Sequence, residues 1–402
     1  MSSMNFEGLT TQGVMLSGVT ITVQNASKDL GWLGTVSAKK GGATNAPQDV
    51  SIHAQKIMGT GIKIQDPNIQ GGTPITLDQI ELQDFHLISK GSKDIFEDAP
   101  NQASFSVSSA ILSGLKATQS GEQVQANLAL SNMSGAMNTS DGTAGIRVED
   151  IQANQLSMGS NSVESSQVKG LQANVTTDAS GHQQSLLSAD SMAVRNVDTE
   201  MFDTTSAEIN NISAGFNSGT QSLTAGVGNL KAHNIDAMGT SVSGVTGTNL
   251  NINSNLDTSS HSGSVGSIVA QNIDHAQGSA EQISLSNLAG AHSSSGSTAT
   301  LGSARANNIQ SNGHTVDMVT LGNLSASNVN GTQGIQMERG GVHGYSSDHG
   351  SAERFMLNDL KASQNNGNLT ASLGSANLTN ASGMGHTLSG AHLGSSSLTH
   401  TS

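Results

Sequence analysis

The sequence predicts an all-β, elongated repeat protein, and three observations carry that prediction. One pattern returns fifteen times between Leu115 and Ala376: a small turn-former, then an apolar residue, then a small or apolar residue two further on. Within each copy the apolar positions alternate with a period of two, which is the period of a strand. The four prolines, Pro47, Pro67, Pro74 and Pro100, all fall in the first hundred residues. Proline removes a ladder donor, so its absence from the remainder suits a continuous sheet.

Taken in chain order, residues 1–100 read as a less regular β part. They hold weaker copies of the pattern: Leu16-Ser-Gly18-Val19-Thr-Ile21, Leu33-Gly-Thr35-Val36-Ser-Ala38 and Ile80-Glu-Leu82-Gln-Asp84-Phe85-His-Leu87. Seven of the sixteen Lys and Arg lie here, as does Trp32. A terminal repeat exposes an open edge and is usually more charged and irregular, so this part is read as a cap continuous with the array.

Residues 101–402 form the array itself. Its anchors are Leu115, Met133, Ile151, Leu171, Met192, Ile212, Leu230, Leu250, Ile268, Leu288, Ala304, Leu324, Val342, Leu360 and Ala376. From 115 to 376 is 261 residues in fourteen steps, or about 18.6 per step. The residue before each anchor is always Gly, Asn, Asp or Ser.

The segment from Leu223 to Ile235 shows one unit. Leu223, Ala225 and Val227 alternate, the pattern skips at Gly228-Asn229, and Leu230, Ala232 and Ile235 resume it. The skip reads as a bulge or corner, where Gly, Asn, Asp and Ser tolerate unusual backbone angles. Polar loops separate the units before any 3.6-residue stripe develops, which argues against helix.

Two stackings satisfy the repeat. In a β-solenoid each unit of ~18–20 residues is one coil, which suits a turn-former that always precedes its anchor; this arrangement is favoured. The alternative is a long antiparallel β-meander built from ~38-residue strand pairs. Steps of 18, 20, 18 and 20 residues from Ile212 to Leu288 suit that alternative.

Composition narrows the function classes. Only 34% of residues are apolar, 2% aromatic and 11% charged, with 47 Gly, so any core is thin and uses Ala where a globule uses Phe. The chain has no cysteine, which excludes disulfides, thiol catalysis and Cys-ligated zinc. A net charge of −14 argues against nucleic acid as a partner. No apolar run reaches the length of a membrane span. The Met1-Ser-Ser-Met-Asn-Phe-Glu start has no basic or apolar region of a cleavable signal.

No phosphate loop, zinc-protease helix, EF-hand or nucleophile elbow is present, so no catalytic, cofactor or metal residues are expected, and the chain reads as a non-enzyme. The thirteen histidines, among them His182, His261, His275, His292 and His314, share no repeat position and read as solvated loop residues. Metal binding would require the His261 and His292 loops to stack. One segment departs from the background, running from Glu338 to Phe355, with the only Tyr of the chain in a region otherwise nearly uncharged. Arg339, His343, Tyr345, Asp348, His349 and Arg354 are the candidate partner-contact residues, because local breaks in a regular design often mark function.

The expected function is structural: a surface, secreted-matrix or fibre-forming β-repeat protein, such as an adhesin stalk or filament subunit. Its expected partners are itself, as homo-oligomer or filament, or a cell-surface or glycan ligand. The expected location is extracellular or the cell surface, reached without a visible signal peptide. The alternative is a phage or virion fibre or spike. Weaker alternatives are a glycan-active β-helix enzyme, for which Asp150, Glu164 and Glu208 are too sparse and out of phase, and a lipid-carrying β-groove, which the Ala-rich positions disfavour. Circular dichroism of the array is expected to show almost pure β signal. More than about a tenth helix would contradict the reading.

Overall fold

The computed structural model describes residues 5–6, 9–10, 12–24, 36–39, 48–64, 75–92, 101–119, 122–365 and 367–401. Trp32, Leu33 to Thr35 and the four prolines lie outside them. No helix occurs among the described residues. The chain divides into two compact units, residues 1–200 with 213–219, and residues 201–212 with 220–402.

The first unit begins with five short strands, β1 (Asn5–Phe6), β2 (Leu9–Thr10), β3 (Gly13–Ser17), β4 (Thr20–Gln24) and β5 (Val36–Lys39). Long strands follow: β6 (Gln48–Ile64), β7 (Ile75–Ser92), β8 (Gln102–Gln119), β9 (Glu122–Asn138), β10 (Thr143–Met158), β11 (Asn161–Thr177) and β12 (Gln183–Asp198). From β6 to β12 each strand pairs antiparallel with the next. β2, β3 and β4 line up end to end along the other side of β6, and β5 runs parallel to β4.

After β13 (Phe202–Asn217), the second unit continues the same design. Its strands are β14 (Ser222–Ala237), β15 (Thr240–Asn255), β16 (Ser260–His275), β17 (Gly278–Ser293), β18 (Gly296–Ser311), β19 (His314–Val329), β20 (Thr332–Ser347) and β21 (Gly350–Asn365). Four shorter ones close the series: β22 (Asn368–Leu373), β23 (Ser375–Gly383), β24 (His386–Leu393) and β25 (Ser396–His400). Successive strands pair antiparallel from β14 to β21, after which β22 with β23, and then β25 with β24, each act as one interrupted strand.

Of the two stackings consistent with the repeat, the protein adopts the antiparallel meander and not the solenoid. The apparent direction of the repeat has a physical origin. Among the turn-formers before the anchors, Gly170, Asn211, Asn249, Asn287, Asn323 and Asp359 have left-handed φ between 51° and 61°. Those on the intervening strands, Ser191, Asn229, Ser267, Ser303 and Ser375, do not. Instead the intervening strands carry a left-handed residue further along, at Asn196, Asn234, Asn272, Asn308 and Asn380. Two different positions had merged into one apparent period. The true repeat is a strand pair, with Asn211, Asn249 and Asn287 spaced by 38 residues and Asn287, Asn323 and Asp359 by 36.

The skips in apolar alternation are also not bulges in the second unit. Val227 pairs with Leu250 and Asn229 with Thr248 in one unbroken register, with no residue inserted. A left-handed residue in one strand, set against a residue with little side chain in the next, turns both strands together. Asn211 stands against Gly228 and Asn249 against Gly266. A Cβ on those glycines would lie 2.9 and 3.2 Å from the asparagine Cβ. At the second skip the asparagine amide has a polar partner: Asn234 donates to Thr205 Oγ1 at 3.2 Å, Asn272 to Ser243 Oγ at 3.0 Å, and Asn308 to Glu281. The first unit uses the same device, with Asn132 donating to Glu149 and Asn196 to Glu164.

Residues buried almost completely are mainly alanines, such as Ala54, Ala110, Ala126, Ala153, Ala189, Ala232 and Ala280. This matches the thin core expected from composition. Since only Gly, Asn and Asp visit left-handed φ cheaply, Asn287→Val is expected to cost about 1–2 kcal/mol. Asn287→Gly should stay within about 0.5 kcal/mol of the parent. Urea denaturation of the two variants checks the difference.

Candidate interaction surface

In the second unit the constant register lines equivalent residues into rows that cross every strand. One row runs Leu230–Gly247–Ile268–Leu285–Ala304–Leu321–Gly340–Leu357–Ala376–Leu393. Four more rows share its face, passing through Ala225, Val227, Ala232 and Ile235. None of the five contains Asp, Glu, Lys, Arg or His. The opposite face carries the polar set, including Lys231, His233 and Asp236 on β14 alone, all exposed.

The skips keep these five rows on one face despite the two changes of alternation along each strand. The apolar face lies on the inside of the first bend. Leu250 Cδ1 lies 3.5 Å from where a Cβ on Gly247 would stand, and the Met337 methyl 3.0 Å from one on Gly340. Side chains from both sides of the bend therefore approach one another. Met337 at the bend is buried, but among the described residues other large side chains of this face stay exposed. Ile252 is 58% exposed and Ile335 47%, with Ile283, Leu288 and Phe355 also more than a third exposed.

Polar rims bound the face at the strand ends. At one rim Ser254 Oγ meets His261 Nδ1 at 2.7 Å, the His261 and His292 rings stack 6.4 Å apart, and His292 Nδ1 meets Ser297 Oγ at 2.8 Å. At the other rim His275, His314 and His386 hold terminal strand positions. These histidines share no linear spacing, and their common placement emerges only from the strand pairing. His261 and His292 do stack, yet among the described residues no group of three or more His, Asp or Glu could hold a metal ion.

The six candidate contact residues do not converge. His343 and Arg354 are cross-strand neighbours on the polar face. Arg339, also on that face, pairs across to Asn358 and keeps its Nε 3.6 Å from Glu338 Oε1. Tyr345 falls on the apolar face beside Val316 and Ala352. Its ring stacks 5.9 Å from that of His314, and its hydroxyl lies 3.0 Å from His314 Nδ1. Asp348 and His349 form the two-residue tip joining β20 to β21. The segment that breaks the sequence pattern is thus an ordinary strand pair in the same register as its neighbours.

Comparison with protein-family models and with curated proteins finds no match. Among the described residues no helix is long and apolar enough to cross a membrane. Leu230→Asp, which sets a carboxylate in the central row, is expected to cost about 2 kcal/mol or more. Lys231→Asp, on the polar face of the same strand, should change stability by less than about 0.5 kcal/mol. Paired thermal melts check whether the two faces are assigned correctly.

Proposed function

We propose that this protein is a structural, self-associating β-repeat protein of a cell surface, secreted matrix or fibre, in which the second unit supplies the contact surface. The observation that carries the reading is the charge-free apolar face, several of whose large residues are exposed. Monomers rarely leave apolar patches above a few hundred Å² uncovered, and larger ones mark interaction sites. The regular strand-pair design adds support, because it presents the same chemistry repeatedly along a surface, as stalks and filaments require. Arg339, His343 and Arg354 on the polar face would offer donors to a second, non-self ligand such as a glycan.

Sedimentation velocity over a wide concentration range, with negative-stain images of the same samples, tests the reading. The expected result is association that strengthens with concentration and yields dimers or longer assemblies of one width. A strictly monomeric protein at every concentration would overturn it.

A further inference from the structure

We propose that the outermost apolar row of the second unit is a self-complementary docking strip that pairs two copies of this chain face to face. The inference rests on the self-association proposed above and names its contact surface. The row reads Ala225, Ile252, Gly263, Gly290, Ala299 on β14 to β18, and continues as Ala326, Ile335, Ala362, Ala371, Leu398 on β19, β20, β21, β22 and β25. Read from its two ends towards the middle, each of its three large residues meets a small one. Leu398 meets Ala225, Ile252 meets Ala371 and Ile335 meets Gly290, while the two remaining pairs, Gly263 with Ala362 and Ala299 with Ala326, set small against small. A two-fold axis lying between the two copies, parallel to the strands and between β18 and β19, produces this pairing. Isologous contacts of this kind need such self-complementarity, because each residue's partner must accept it in return.

The surface has the relief the pairing needs. Ile335 stands 47% exposed. An open depression of about 550 Å³ beside it, over Ala299, Ala326 and Ala362, leaves Ile335 standing above its neighbours as a knob. Gly290 has room above it: a Cβ there would meet nothing nearer than the Thr298 carbonyl at 3.7 Å, and its φ is not left-handed. A side chain at 290 therefore fits the single chain, so the missing side chain is not required by the fold of one copy. The strip also has the right size. Ten strands each about 4.8 Å wide and three rows each about 7 Å wide give about 48 by 21 Å, or roughly 1,000 Å² per copy. Stable interfaces bury about 800 Å² per partner.

Charge agrees with a like partner. The strip and the rows flanking it hold no Asp, Glu, Lys or Arg in a chain of net charge −14, so two copies meet where they do not repel. A peptide strand is a poor occupant, because the face of a sheet offers no free backbone groups to satisfy its own.

The experiment exchanges knob and hole in the full-length chain. Gly290→Leu fills the hole, and Ile335→Ala removes the knob. Each alone is expected to weaken dimerisation by about tenfold or more in sedimentation equilibrium, with circular dichroism and melting temperature close to the parent's. The double variant G290L/I335A sets large against small again and is expected to recover most of the lost affinity. Unchanged dimerisation in both single variants, or a double variant no better than G290L, would overturn the strip while leaving self-association standing. A parent chain that stays monomeric, or that carries bound hydrocarbon in native mass spectrometry instead of a doubled mass, would overturn both.

Discussion

The structure depends on one backbone constraint, the pairing of a left-handed residue in one strand with a near-absent side chain or a hydrogen-bonding polar group in the next. Left-handed φ is costly for most residues, and Gly and Asn bear it most easily. When Asn211 or Asn249 adopts it, the alternation of faces is interrupted at that point. If the adjacent strand did not change at the same level, the apolar rows would pass to opposite faces. Gly228 and Gly266 permit the synchrony by keeping Cβ atoms out of a gap where they would sit about 3 Å from the asparagine. The second skip solves the same problem with amide donors, Asn272 on Ser243 and Asn308 on Glu281.

That synchrony explains where the acids go. Glu149, Glu164, Glu281, Glu338 and Glu353 each accept from a left-handed asparagine on a neighbouring strand. They are lattice parts of the bends, and they repeat by strand and not by chain position. This is why the carboxylates looked sparse and out of phase for glycan chemistry. It also leaves the apolar face of the second unit without charge, since the anionic groups are held at the bends and on the polar face.

Much of the fold was legible in the sequence because it rests on short-range rules. Period-two alternation through Leu223, Ala225 and Val227 meant strand, and the lack of proline after Pro100 meant unbroken ladders. Strand direction was harder. Serines such as Ser191 and Ser267 satisfy the same residue filter as Asn211 and Asn249, yet only the asparagines are left-handed. With both kinds counted together, a two-strand period looked like one coil. The asparagine in Ala232-His-Asn-Ile235 and in Ala270-Gln-Asn-Ile273 held the missing signal, a second turn-former on alternate units. The candidate surface was less legible still. It is made of rows that no linear window spans, and the segment from Arg339 to Phe355 attracted notice for residue types that the strand pairing distributes over two faces and a tip.

The hairpin-by-hairpin pairing bears on how such a chain comes apart and grows. In each unit the long strands bond mainly to the strands just before and just after them, so the array behaves as a one-dimensional chain of coupled elements, with stability summed from local and nearest-neighbour contributions. No distant closure has to be made before the next hairpin can form, so assembly can propagate from any nucleus. Melting of such an array loses all-or-none character as it lengthens. Lengthening by whole strand pairs preserves every bend and row, whereas gain or loss of one strand would reverse the alternation of Asn and Gly at all later positions.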